Sequence, residues 1–504
     1  MKGFPCGLNG YMCLSQGEES ELKTEHFDVL VVGAGLSGIC TGYYLQKKCP
    51  KKTFCILEGR DDMGGTWDLF RYPGIRSDSD MFTLGYSFRP WKSDVGIADG
   101  ESILSYLKDT AKAYGLDKKI RYGMWVRSAS WSSEENRWTV EIQPRHSEET
   151  KKITCQFLCT CCGYYDYDEG YTPEFEGADS YKGELIHPQK WDDSIDYQDK
   201  DIVVIGSGAT AVTLVPALAQ KARHVTMLQR SPTYILSRPE IDPLAKRLYR
   251  FMPKRLATKI VRWKNIFLSM YFYRVSRKYP KEVRKHILEE IKKAVGPDFD
   301  VDTHFSPNYN PWDERVCAVP DNDLFETIKD GRVSVVTDHI QRFVENGLLL
   351  ESGKTLEADM IITATGLKLV FLGKVQLTVD GKEIVPKDIM GYKGVMFQDI
   401  PNLAIAVGYT NASWTLKCEL TSEYFCRLLN HMDKKGYKRC TPRLNDDTIT
   451  EIPFISLTSG YIQRATGLFP RQGSKAPWKL YQNYLHDLFH LRFGKVVDES
   501  MEFE

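Results

Sequence analysis

The amino-acid sequence predicts an α/β fold, on the strength of three stretches. The first, "FDVLVVGAGLSGICTGYYL", is an apolar run broken by glycines and followed by a helical pattern. The second, "KDIVVIGSGATAVTLVPALAQKARHVTMLQRS", repeats that order in mid-chain. The third, residues 246–293, carries sixteen Lys or Arg against three acids, interleaved with "IFLSMYFY", and reads as inserted helices. Together they predict two dinucleotide-binding, Rossmann-like domains with a helical insertion.

Each element follows from its residues. Residues 1–25 lack the apolar core of a signal peptide and are expected to form a flexible arm. In the first unit a strand over 27–32 enters Gly33-Ala34-Gly35-Leu36-Ser37-Gly38, and a helix is expected from Ile39. Gly33, Gly35 and Gly38 allow the tight turn and let backbone approach a pyrophosphate on the helix N-terminus. The next strand, in "KTFCILEGR", ends at Glu58, twenty residues past Gly38, where a carboxylate can bind ribose hydroxyls.

Residues 64–80, "GGTWDLFRYPGIRSDSD", suit neither helix nor strand, because Pro73 and the glycines break both. "FLCTCCGYY" (157–165) and "DMIITATGLK" (359–368) are apolar strands running into glycine turns, one before and one after the second unit. The chain is therefore expected to leave the first domain (26–172 and 356–504), build the second (173–355, with the insertion at 240–312), and return. Two short crossings permit hinge rotation.

In the second unit Gly206, Gly208, Thr210 and Ala211 follow a strand over Asp201–Ile205. The next strand is expected to end at Leu228, and the acid's place is taken by Gln229, with Arg230 and Ser231 behind. Losing the carboxylate removes repulsion, and a guanidinium can pair with a ribose 2′-phosphate. This site asks for NADPH; a surface Arg beside an NAD site is the alternative. Two nucleotide sites on one chain suggest electron transfer, with FAD in the first and NADPH as hydride donor in the second.

Composition narrows the rest. Lys and Arg number 67, as do Asp and Glu, so no global field argues for nucleic acid. The thirteen cysteines are scattered, unlike a secreted disulfide framework. Cys155, Cys159, Cys161 and Cys162 crowd an apolar strand with no matching second pair, which favours core packing over a metal site. No apolar run approaches the roughly 20 residues that span a bilayer, and a cytoplasmic setting is expected. A basic amphipathic helix in 246–293 can lie on an anionic membrane. The favoured reading is instead a solvated insertion whose aromatic face packs on the main body.

The paired fingerprints, with a loop like 64–80 after the first, resemble class B flavoprotein monooxygenases. Before the second fingerprint, "YKGELIHPQKWDD" is similar to the Baeyer–Villiger monooxygenase signature, with Tyr181 where Phe is usual, then Gly183, His187 and Trp191. The resemblance implies oxidation of a small organic substrate, a ketone, by O2 through a C4a-peroxyflavin. It also implies a fixed Arg that supports the anionic peroxide, oriented by an aspartate of the aromatic loop. Arg315, in "NPWDERVCAVP", is the matching position and Asp78 its partner; a salt bridge to Asp313 or Glu314 is the alternative. Within the loop, Gly65 and Thr66 would pass close to FAD, and Trp67 and Tyr72 would exclude water near the isoalloxazine.

His187 would couple domain positions rather than move a proton, and Trp191 would belong to the same hinge. Near the C-terminus Asn411 or Ser413 is expected to cap a helix pointing at the flavin, with Trp414 and Leu416 as candidate pocket residues. Two rivals stay open. N- or S-oxygenation would use the neutral hydroperoxide. An FAD/NADPH reductase would want a redox-active cysteine pair beside the flavin, and Cys161 and Cys162 are adjacent, which suits a helix-borne pair poorly.

Overall fold

The computed structural model describes residues 24–504. The expected arm, 1–25, thus lies almost wholly outside the described residues, and Glu25 already opens the first strand, Glu25–Val32. Two sheets carry the fold. The larger has nine strands, and its parallel centre runs Ile120–Arg121, Phe54–Leu57, Glu25–Val32, Lys151–Thr160, Leu403–Ile405. Val31 lies between Ile56 and Cys159 in register. Strands buried on both faces read as unbroken apolar runs, and "VLVV" and "FCIL" are such runs. Cys155, Cys159 and Cys161 pack in this core, while Cys162 is partly exposed. Among the described residues no group of His, Cys, Asp or Glu is gathered closely enough to hold a metal.

The second sheet has five parallel strands in the order Val333–Thr337, His224–Gln229, Asp201–Ile205, Met360–Thr363, Glu184–Ile186. Met360–Thr363 pairs with Asp201–Ile205, so the second unit runs past the expected boundary at 355. An apolar run suits the centre of either sheet, and only the pairing decides which. The two crossings meet each other: Tyr165–Gly170 and Leu367–Leu369 form an antiparallel ribbon between the units.

Local differences from expectation are small and have physical causes. Helix α1 (Leu36–Lys48) starts before Ile39, because Gly35, still extended, takes the N-cap position. The second unit's strand runs one residue beyond Leu228, to Gln229. The loop 64–80 holds one helical turn, Thr66–Leu69, which its glycines precede rather than interrupt. Helix α2 (Ala209–Leu218) follows the second fingerprint.

The insertion is helical, as expected. It comprises α3 (Lys254–Lys278) and α4 (Pro280–Val295), with shorter helices flanking them. α4 buries Val283, Ile287, Ile291 and Val295, a stripe at helical spacing, against the second core. α3 departs from the expectation. Its inner face is made of short side chains, Ala257, Thr258 and Val261, with Ile266, while the bulky Trp263, Phe267 and Tyr271 point outward and are exposed. Small residues let the helix lie close to the body, and of the stretch expected to pack there Ile266, Met270, Phe272 and Tyr273 do meet it, while Phe267 and Tyr271 turn away.

Arg262 completes that inner contact. Its guanidinium donates to the carbonyls of Phe82 (2.9 Å) and Gly85 (2.6 Å) and to Glu419 Oε2 (3.0 Å). Glu419, on α5 (Trp414–Lys435), also accepts the Ser87 amide at 2.7 Å. Both side chains are nearly buried, at 10% and 2% exposure. Removing one partner strands the other charge, so Glu419→Ala should destabilise the fold by about 3–5 kcal/mol. Urea unfolding checks this, and an unchanged midpoint would contradict it.

Candidate functional site

The first fingerprint is shaped for close backbone approach. At Gly33 (φ +103°) a Cβ would stand 2.6 Å from the Cys161 carbonyl oxygen, and at Gly38 one would stand 1.8 Å from that of Gly33. α1 begins on Gly35 with no side-chain cap, which leaves its first amides available to an anion. Glu58 is buried at the strand's end, accepting the Ala34 amide (2.8 Å) and the Arg60 amide (2.9 Å). Burial raises its pKa against the pull of these bonds. Gly33, Gly35, Glu58 and Gly65 line one cavity of about 680 Å³.

Gly65 (φ +58°) would place a Cβ 3.1 Å from Gly35 Cα, so the loop 64–80 lies directly on the fingerprint. Beside it Thr66 stands near the Tyr167 hydroxyl, and half-buried Trp67 packs on the first core. The arginines that flank the loop have distinct tasks. Arg71 reaches back to Asp68 (2.7 Å), which Arg60 also holds, while Arg76 crosses to Asp323 of the second unit (2.5 Å). At Gly74 (φ +75°) a Cβ would meet Ala217 of α2 at 2.7 Å.

Tyr72 is buried in the second core with its hydroxyl toward Thr210, and burial pushes its pKa up to about 12. Its ring thus packs with the second unit, beside the second fingerprint.

The second fingerprint repeats the pattern. Gly206 (φ +139°) would put a Cβ 2.4 Å from the Ala364 carbonyl oxygen, whereas at Gly208 a Cβ would meet nothing within 4 Å. α2 starts on Gly208 without a side-chain cap, and Ala211 is fully buried behind it. Gln229 is buried too, donating to the His304 carbonyl (2.7 Å) and Thr337 (2.9 Å), so it is not the residue that faces a ribose. Arg230 and Ser231 are exposed just beyond. Ser207 ties the Ser231 carbonyl at 2.9 Å.

Arg315 and Asp78 meet, with Nε and Oδ2 at 3.5 Å. Asp313, the rival partner, is taken by Arg277 at 2.5 Å. Burial alone would lower the Arg315 pKa, but the facing Asp78 carboxylate raises it overall. The Arg315 side chain is 37% open, and it borders two cavities at once. The larger, of about 940 Å³, has an aromatic wall that includes Tyr164, Trp414, Phe454 and Tyr461. The other, about 690 Å³, includes Asp78, Ser413 and Leu416.

Ser413 is the N-cap of α5 but its hydroxyl bonds Thr83 (2.5 Å), not the helix, and Asn411 donates to the Gln482 carbonyl (3.0 Å). Neither side chain caps the helix, contrary to expectation, because each is recruited by another segment. Trp414 donates to Ser37 at 2.9 Å.

The signature before the second fingerprint is structural in its contacts. Tyr181 donates to the Ala358 carbonyl (2.9 Å), and its ring lies where a Cβ on Gly183 would stand, 2.3 Å from the phenol oxygen. His187 accepts the Gln189 amide on Nδ1 (3.1 Å) and donates from Nε2 to the Gly366 carbonyl (3.2 Å). Its ring covers Gly170, so it clasps both strands of the ribbon. Trp191 is buried in the second core against Tyr197.

Sequence reasoning missed three features. Tyr164 and Tyr165 flank Arg315, Arg464 stands near Arg230, and Lys417 pairs with Asp487 (2.7 Å) on the larger cavity's wall. The doubled tyrosine of "CCGYY" and the lone lysine of "WTLKCEL" were the available signals.

Two uncapped helix starts over glycine turns, joined by a clasped ribbon, define a two-dinucleotide-binding oxidoreductase. The chain belongs to the flavin-binding monooxygenase-like family, whose profile matches residues 26–413. It is 52% identical over 481 residues to the FAD-containing monooxygenase EthA of Mycobacterium tuberculosis, covering 95% of this chain and 98% of that one. The probable FAD-binding monooxygenase AlmA of Acinetobacter baylyi is 46% identical over 482 residues, 95% and 96% of the two chains. Among solved structures, steroid monooxygenase bound to NADP superposes with a TM-score of 0.72 at 20% identity, over 95% of this chain and 99% of that one. Cyclohexanone monooxygenase with ε-caprolactone gives 0.72 at 19%, over 95% and 100%. The enzyme is a flavin-dependent monooxygenase.

Burial lowers the His187 pKa from its usual 6.5. The neutral ring is the folded form, so its contribution is present above pH 6.5 and lost as pH falls toward the lowered folded value. His187→Gln should flatten that acid-side loss of stability, read as unfolding midpoints across a pH series; an unchanged slope would count against the assignment.

Proposed function

We propose that this enzyme holds FAD at the first fingerprint and NADPH at the second, and inserts one oxygen atom of O2 beside a ketone carbonyl, giving an ester or lactone. The Arg315–Asp78 contact carries the reading. Glu58 suits a ribose, the bare starts of α1 and α2 suit pyrophosphates, and Arg230 with Ser231 suits a 2′-phosphate. Gly65, Thr66 and Trp67 would wall the flavin side, and Tyr72, with Thr210, would fix one unit against the other.

Bound flavin, reduced by NADPH, supplies the oxygen-transferring chemistry. The chain's own part is to place a permanent cation at the reacting carbonyl. When a ketone is attacked at carbon, charge builds on its oxygen, and a guanidinium already in place stabilises that charge without reorganising. Asp78 keeps the fork oriented, and the aromatic wall restricts water. Tyr181, Gly183, His187 and Trp191 act on domain position, His187 through its hold on the ribbon and Tyr181 and Trp191 through their packing on opposite faces of the second sheet.

Arg315→Ala should lower ketone oxidation by about 10²–10³ while NADPH still reduces the flavin. Asp78→Ala should give a milder version. Product analysis by mass spectrometry on ketone and thioether panels tests this. Near wild-type ketone turnover would overturn it and turn the assignment to N- or S-oxygenation. Separately, a 2′-phosphate on Arg230 is a charge-assisted contact worth about 1.5–3 kcal/mol. Arg230→Ala should therefore weaken NADPH use by roughly ten- to a hundredfold and spare NADH, as steady-state kinetics with each coenzyme would show.

A further inference from the structure

Helix α3 presents two unlike faces. At about 100° per residue, Leu256, Ile260, Trp263, Phe267 and Tyr271 fall within an arc of about 80°. All five are at least 40% exposed, and Tyr271 reaches 66%. The buried residues Ala257, Thr258, Val261 and Arg262 lie on the opposite side. A bare apolar stripe of this kind on a water-soluble surface calls for an occupant.

Charge says which occupant. α3 contains eight Lys or Arg and no Asp or Glu. Arg262 is spent on Glu419, Lys264 on Asp242 and Arg277 on Asp313. Arg255, Lys259 and Arg274 are exposed and have no ion-pair partner among the described residues. Lys259 flanks the stripe, and Arg274 continues it at the C-terminal end. Bulky aromatics bordered by unpaired cations match the interface of an anionic bilayer, where rings sit among the headgroups and cations meet phosphates. No helix among the described residues is long and apolar enough to cross a membrane, so α3 would lie on the surface.

The patch continues beside the larger cavity. The Trp263 ring lies 6.1 Å from that of Tyr484, and Tyr484 begins the stretch that exposes Phe489 and Phe493. Just before and within that stretch, Tyr481 and Asp487 line the cavity itself.

We propose that the outer face of α3 docks this enzyme on anionic lipid surfaces, with Trp263, Phe267 and Tyr271 in the headgroup layer and Lys259 and Arg274 on lipid phosphates. The proposal does not depend on the chemistry at Arg315. It is tested by sedimenting the FAD-loaded enzyme with phosphatidylcholine vesicles, and with vesicles about one-third phosphatidylglycerol, at low and physiological salt. Binding should need the anionic lipid and weaken with salt. Trp263→Ser/Phe267→Ser should cut the bound fraction by about tenfold at low salt, and Lys259→Glu/Arg274→Glu should do likewise. Both variants should keep the wild-type unfolding midpoint and NADPH turnover in solution.

Wild-type enzyme left in the supernatant with anionic vesicles at low salt would overturn the proposal. So would equal sedimentation of the aromatic variant. A concentration-dependent dimer that Trp263→Ser/Phe267→Ser dissolves would overturn it too, and give the stripe to a second copy of the chain.

Discussion

Asp78 and Arg315 reach each other across the junction of two separately folded sheets, and that approach is what the surrounding architecture maintains. A lone exposed pair at 3.5 Å would contribute little, because ordering two side chains costs about what their attraction returns. Here the ordering is shared. The loop that carries Asp78 is laid on Gly35 through Gly65, braced by Asp68 between Arg60 and Arg71, set against α2 at Gly74 and tied to Asp323 by Arg76. Most of the chain entropy of residues 64–80 is spent on those contacts before Asp78 meets its partner. The loop touches both units, so moving one against the other changes the Arg315 site directly.

That arrangement explains the composition of the loop better than flavin contact alone does. Gly65 and Gly74 sit where a side chain would crowd Gly35 on the one hand and Ala217 and the Thr213 carbonyl on the other, and each of the loop's arginines has an acid to find. Tyr72 belongs to the same logic. Its phenol is buried in the second core, with the hydroxyl turned toward Thr210 of the second fingerprint.

These observations mark how far the sequence could be read. Signals that are local in the chain were legible: the glycine turns, the acid after the second strand, the crossings and the helical insertion. The Asp78–Arg315 partnership was legible only through family resemblance, since 237 positions separate them and no spacing rule joins them. Facts that depend on which surfaces meet were not legible. Periodicity showed α3 to be amphipathic, but whether its aromatic or its short-chain face turns inward is set by the body it packs on. Likewise the apolar strand Met360–Thr363 fits either sheet, and only its hydrogen-bonding neighbour Asp201–Ile205 assigns it to the second. Ser413 and Asn411 have the chemistry of helix caps, yet Thr83 and Gln482 claim them first.

The same competition makes α5 the element through which distant parts of the chain act on the cavities. Two of its charged side chains are buried, and a buried charge is tolerable only with its partner in place. Glu419 is held by Arg262 of the insertion, and Lys417 by Asp487 of the C-terminal segment. Burial works against ionised Asp487, but Lys417 and the Tyr409 hydroxyl hold its pKa below the ordinary value. α5 is thus clamped from two sides within its first turns, a few residues from the N-terminus that adjoins the Arg315 cavities. Displacing either clamp would uncover a charge as well as loosen a contact. The insertion, remote in sequence from every fingerprint residue, therefore takes part in fixing where the start of α5 points.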